Sequence, residues 1–182
     1  MSTIRLAFIT FPVVLGFAVL TFLPVFAQQV FNQGAETYSH LMAWSGAGSI
    51  VGALVVAWLG KCKRMGLTSL LMQVVYGVLI VVFAGSRMLL TSEILLFLIG
   101  LSLMMVFSTV TSLVQLIAPN DMRGRVMSIY MLAFRGGMPL GSFVSGWVAT
   151  YISAPMVLTI NGVLLTVVAV WFLLRNDGVR NL

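Results

Sequence analysis

The 182-residue sequence has one cysteine, one histidine and only four acidic residues, and each scarcity closes off a class of chemistry. Cys62 has no second cysteine to pair with, so an internal disulfide is excluded; Lys61, Lys63 and Arg64 place it in a basic turn where a thiol stays reduced. One histidine makes no metal-ligand cluster, and no glycine-rich phosphate loop precedes a helix on a soluble face. A serine nucleophile needs a base within hydrogen-bond reach, yet Ser45 stands too nearly opposite His40 on one helical run, so enzymatic activity is not expected. Nor is a cofactor called for. The net charge of +6 comes from ten basic residues scattered singly between apolar runs, a distribution that excludes nucleic acid as a partner.

What is present is apolar. With 60% apolar and 8% charged residues and a mean hydropathy of +1.11, the chain exceeds what a water-soluble core requires, so membrane lipid is its expected surroundings. Six apolar runs are long enough to cross about 30 Å of hydrocarbon: residues 6–26, 38–59, 67–84, 93–117, 126–152 and 156–174. Arg5, Lys61, Lys63, Arg64, Arg123, Arg125, Arg175 and Arg180 fall on one side of that arrangement and Arg87 alone on the other, which predicts that both termini are cytoplasmic. A cleaved signal peptide ending near Val25-Phe26-Ala27 is the competing reading of the first run; Pro12, Gly16 and the length of the run speak against it.

Shifting the sequence by ninety positions aligns Leu41-Met42-Ala43-Trp44-Ser45-Gly46-Ala47 with Met131-Leu132-Ala133-Phe134-Arg135-Gly136-Gly137. Three spans separate the copies, so the two triplets, residues 1–84 and 91–174, are expected to insert with opposite topology as inverted repeats. Residues 175–182 form a short cytoplasmic tail to a single six-helix domain over 1–182. Both aligned spans carry small residues four apart, Gly48 with Gly52, and Gly137 with Gly141 and Ser145, beside Gly136. In lipid such rows let backbones approach closely, serving static packing or a sliding surface alike. Pro139 interrupts the second row and removes a backbone donor, which predicts a bend.

At these residues a resemblance becomes specific. Gln115 with Pro119, then Arg123-Gly124-Arg125, then Tyr130 through Arg135-Gly136-Gly137-Met138-Pro139-Leu140-Gly141 resembles the transmembrane secretion effector branch of the major facilitator superfamily, which includes enterobactin exporters and macrolide efflux pumps. The resemblance implies that these six spans correspond to the second half of a twelve-span permease of the bacterial cytoplasmic membrane. Its substrate pathway would need a second six-helix half, from a homodimer or a separately encoded chain. In the family an acid followed by Arg and Gly usually marks the turn after the second span; here Lys63 stands in the acid's place before Arg64, Met65 and Gly66.

Arg135 is the sharpest candidate for function, ten residues and about 15 Å beyond Arg125 on a helix, and therefore close to mid-membrane. An arginine there costs about 2.5–3.5 kcal/mol on insertion scales, so it should face a cavity, a substrate or a partner carboxylate, or else bond to carbonyls near Pro139. Ser108 and Thr111 are candidates to line the substrate pathway, although hydroxyls on such helices commonly bond their own backbone. Asp121, Arg123, Arg125 and Arg64 are candidates for a cytoplasmic gate or, in the basic residues, for topology and lipid contact alone, with Asn120 or Asp121 capping the following helix. Glu36, Glu93 and His40 are expected at the outer surface, leaving no carboxylate at mid-membrane, and Gln73 and Asn161 are expected to tie helices together.

The expected fold is an all-α membrane protein of six transmembrane helices in two inverted triplets. The expected activity is transport of a small molecule, with export implied by the resemblance; a non-transporting subunit or a truncated remnant is the alternative.

Overall fold

A computed structural model describes residues 18–32, 34–59 and 65–175, and these are helical with no strand among them. The first part of the first span, the turn with Lys61, Cys62, Lys63 and Arg64, and the tail lie outside the described residues. We number the helices α1 (Ala18–Val25, continuing as a π-helical turn over Phe26–Val30), α2 (Ala35–Leu59), α3 (Met65–Gly85), α4 (Leu89–Ile117), α5 (Arg123–Ala149) and α6 (Ala154–Arg175).

Proline sets the end of α1. Pro24 lies inside the helix without an N–H to donate, and downstream the backbone widens until the Phe31 amide donates to the Phe26 carbonyl five residues back at 3.1 Å. Asn32 then takes a left-handed conformation at φ 51°, a geometry asparagine tolerates better than most residues, and the chain turns toward α2.

Of the six expected spans, α2, α3, α4 and α6 have both the length and the apolarity to cross a bilayer. The described part of α1 is too short to judge, and α5, though 27 residues long, carries three arginines and a run of small residues that lower its apolarity. Helix ends fall within about four residues of the sequence reading, with α4 starting earlier at Leu89 and α5 earlier at Arg123.

The surface is greasy and the interior only selectively so, as expected of a bundle in lipid. Leu54, Trp58, Leu90, Leu140 and Leu174 are exposed, whereas Leu23, Phe26, Leu41, Ile80, Phe83, Leu96 and Leu158 are sealed inside. Phe26 and Phe83 stack at 5.0 Å between ring centroids and join α1 to α3. Trp58, Trp147 with Tyr151, and Trp171 lie exposed toward the ends of α2, α5 and α6, the level at which amphipathic rings meet headgroups. α4 is the hub and is more buried than α2, α3 or α6. It packs most extensively on α2 and also on α3, and α3 packs on α6.

Candidate functional site

The α2–α4 seam is where backbones come nearest. A Cβ on Gly48 would run into the Phe97 carbonyl, one on Gly52 would lie 2.5 Å from the Leu101 carbonyl oxygen, and one on Gly100 would run into the Ser45 carbonyl. Glycine is needed at all three, because the obstacle is backbone that cannot swing aside. Ser49 adds a polar tie: its hydroxyl donates to the Ser45 carbonyl at 3.0 Å and to the Gly100 carbonyl across the seam at 3.3 Å. A second close crossing, between α3 and α6, has Gly77 and Gly162 each within 2.9 Å of the other's carbonyl if given a Cβ.

α5 is seated differently. Among the described residues it touches α1, α4 and α6 only lightly, and its buried residues are Tyr130, Phe134, Gly141 and Ser145. Phe134 packs on Phe107 of α4 at 5.1 Å and on Tyr130 at 6.1 Å. Among the described residues three polar ties hold it, one to each neighbour. The Thr111 and Tyr130 hydroxyls lie 3.4 Å apart at α4, the Thr21 and Ser142 hydroxyls 2.9 Å apart at α1, and Asn161 Nδ2 donates to Ser145 Oγ at 3.1 Å at α6. Buried Gln73 also has a hydrogen-bonding or packing partner, so neither interior amide is idle.

Arg135 is the thirteenth residue of α5, about 18 Å from the helix start at 1.5 Å per residue, and its side chain is exposed beside Leu132 and Leu140. Among the described residues it has no hydrogen-bond or ion-pair partner, and it makes no bond to carbonyls near Pro139. Gly136, which the sequence grouped with the packing glycines, is exposed with nothing within 4 Å of a Cβ; Gly137 is half-buried and Gly141 buried. Pro139 is accommodated within the unbroken run of α5.

The other pathway candidates lie on α4. Ser108 is half-buried on α4, and Thr111 donates to the Phe107 carbonyl at 2.7 Å while facing Tyr130. Thr109 likewise donates to its own helix at Met105, 2.7 Å away. Asp121, Arg123 and Arg125 are brought together in and beside the exposed α4–α5 turn, and Arg64 lies outside the described residues. Neither Asn120 nor Asp121 caps α5: the N-cap is Met122, with no side-chain cap. The Asn120 Oδ1 is taken instead by the Arg123 guanidinium at 2.7 Å, because a charged donor outcompetes a backbone amide for the same acceptor.

A constellation that sequence reading left dispersed lies at the opposite ends of the same helices. Glu36, Thr37 and His40 of α2 and Leu89 and Glu93 of α4 line, with Gly34, an open cavity of about 480 Å³. The signal was present: Glu36 and His40 are four apart and share a face, and α2 and α4, two crossings apart, begin on the same side of a bundle.

The family described as transmembrane secretion effector matches residues 4–177, nearly the whole chain. No curated protein matches it.

Proposed function

The chain belongs to the transmembrane secretion effector family, a family of membrane transporters, and from that premise we propose that it works as one six-helix half of a secondary active exporter. On this reading it moves small amphipathic molecules, such as siderophores or drugs, outward across the bacterial cytoplasmic membrane, with both termini inside. Transporter families of this kind are typically non-enzymatic.

The observation that carries alternating access is the unequal seating of α2 and α5. Alternating access needs a body that stays rigid and surfaces that change partners around it. The α2–α4 seam, closed backbone on backbone, suits the first role. α5, of bilayer length but held among the described residues by three single polar ties and a small aromatic cluster, suits the second. The inverted-repeat reading draws support from swapped pairing between triplets: α2 packs on α4 while α1 meets α5, the second helix of each triplet on the first of the other. Asp121, Arg123 and Arg125 are the gate on the inner side, and the cavity with Glu36, His40 and Glu93 is the outer mouth.

Dye efflux tests this. In membranes containing the chain together with its second half, wild type should extrude a fluorescent amphipathic dye, and Arg135→Ala should lose most of that efflux while inserting to the same level. Undiminished efflux by Arg135→Ala would remove Arg135 from the pathway, and absence of dye movement in any wild-type preparation would favour the non-transporting subunit.

A further inference from the structure

The open cavity at the heads of α2 and α4 gathers what is scarcest in this sequence. Two of its four acidic residues, Glu36 and Glu93, line that one space from different helices, and the only histidine, His40, lines it with them. Among the described residues none of these three side chains is engaged in a hydrogen bond or an ion pair. Arg87, the cation nearest to Glu93 in sequence, is exposed and is not part of the lining. Glu36, His40 and Trp44 follow one another at four-residue steps on α2, and Leu89, Glu93 and Phe97 do so on α4, so each set shares a helix face. One turn inward from His40 and Glu93 the Trp44 and Phe97 rings meet edge to face, 6.3 Å between centroids, and beyond them Gly48 and Gly100 shut the seam. The cavity thus has carboxylates in its wall and aromatic rings at its foot.

Offsetting the dipole at a helix N-terminus accounts for an exposed carboxylate such as Glu36 in the first turn of α2. It does not account for Glu93, the fifth residue of α4 and half-buried, where that effect has fallen away. Two negative charges on one concave, low-dielectric surface focus the field there and favour a cation. A metal ion is not the match, because among the described residues no three acidic, histidine or cysteine side chains converge closely enough to hold one. A volume of about 480 Å³ is that of a small-molecule pocket. Aromatic rings next to carboxylates suit an organic cation, which both attract. We propose that this cavity binds an organic ammonium ion with an aromatic body, its charge held between Glu36 and Glu93 and its body turned toward Trp44 and Phe97. That such a cation is cargo at the outer mouth rests on the transport reading; that it binds does not.

Equilibrium dialysis of the full chain in nanodiscs of zwitterionic phosphatidylcholine tests this. The probe is tryptamine, its uncharged counterpart is tryptophol, in which a hydroxyl replaces the ammonium group, and empty nanodiscs give the lipid background. Wild type should bind tryptamine saturably, and tryptophol at least tenfold more weakly. Glu36→Gln and Glu93→Gln should each weaken tryptamine binding about tenfold, the size expected for one charge-assisted hydrogen bond, and leave tryptophol unaffected. His40→Lys sets a fixed positive charge in the cavity and should weaken tryptamine binding by a similar factor; because His40 is exposed, it reads the charge of the cavity without disturbing packing. Trp44→Leu should cost about threefold. No saturable binding by wild type, equal affinity for tryptophol, or tryptamine binding indifferent to Glu36, Glu93 and His40 would each overturn the site. The outcome separates from that of the efflux assay: dye efflux without tryptamine binding sinks the site and spares the transport reading. Carboxylate-dependent binding without dye movement does the reverse.

Discussion

α2 and α5 carry the same kind of glycine spacing, Gly48 with Gly52 on one and Gly137 with Gly141 on the other, yet among the described residues one is locked to its neighbour and the other rests lightly on three. The difference is what lies opposite. Against α2, α4 offers Phe97 and Leu101 carbonyls and a glycine of its own, Gly100, so that both backbones move inward and Ser49 bridges them. Against α5, α4 offers the Phe107 ring, which keeps the backbones apart and replaces a long seam with one aromatic contact and a hydroxyl pair. A small residue permits close approach, and closure needs small residues on both sides.

The largest expected effect tests the locked side. Gly48→Ala drives a methyl into the Phe97 carbonyl; overpacking of this kind should cost about 2 kcal/mol after the helix-propensity gain of alanine is subtracted, read as a lower unfolding temperature in detergent. An unchanged midpoint would mean the seam can widen and that α2 is no more fixed than α5. Next in size is the tie from α6: Asn161→Leu removes the donor to Ser145 and should weaken the fold by about 1 kcal/mol, with faster amide exchange confined to α5 and α6. Faster exchange spread evenly over α2 and α4 would erase the distinction between the two helices. The smallest effect falls on the open side. Gly136→Ala meets nothing within 4 Å and should change the unfolding midpoint by no more than the helix-propensity difference of about 1 kcal/mol, in the stabilising direction. A large loss there would show that α5 is already covered by something as tight as the α2–α4 seam.

Much of the helical plan was legible because a bilayer demands long apolar runs and turn residues interrupt them: α3 and α6 begin and end within two residues of the sequence reading. The apolar run of the fifth span was read from residue 126, three residues inside the start of α5, because Arg123 and Arg125 add length to the helix but no apolarity. In the fold the first turn tolerates them, with Arg123 turned back onto Asn120. The π-helical turn after Pro24 left a trace only in the proline, since hydrophobic spacing does not reveal a single extra residue in a turn. The tie between Asn161 and Ser145 was half legible: a buried amide must find a partner, but which helix supplies it depends on packing angles that spacing does not encode. The cavity with Glu36, His40 and Glu93 needed two facts at once, a shared helix face and a shared side of the membrane, and each was visible only separately.

The serine–glycine zipper along α2 and α4 has a mechanical corollary. With carbonyls of one rod nested where the other has no side chains, no compressible layer separates them, and a push at either tip is felt at the far tip with little damping. The pair behaves as a splint, and whatever hinges in this molecule must hinge around it.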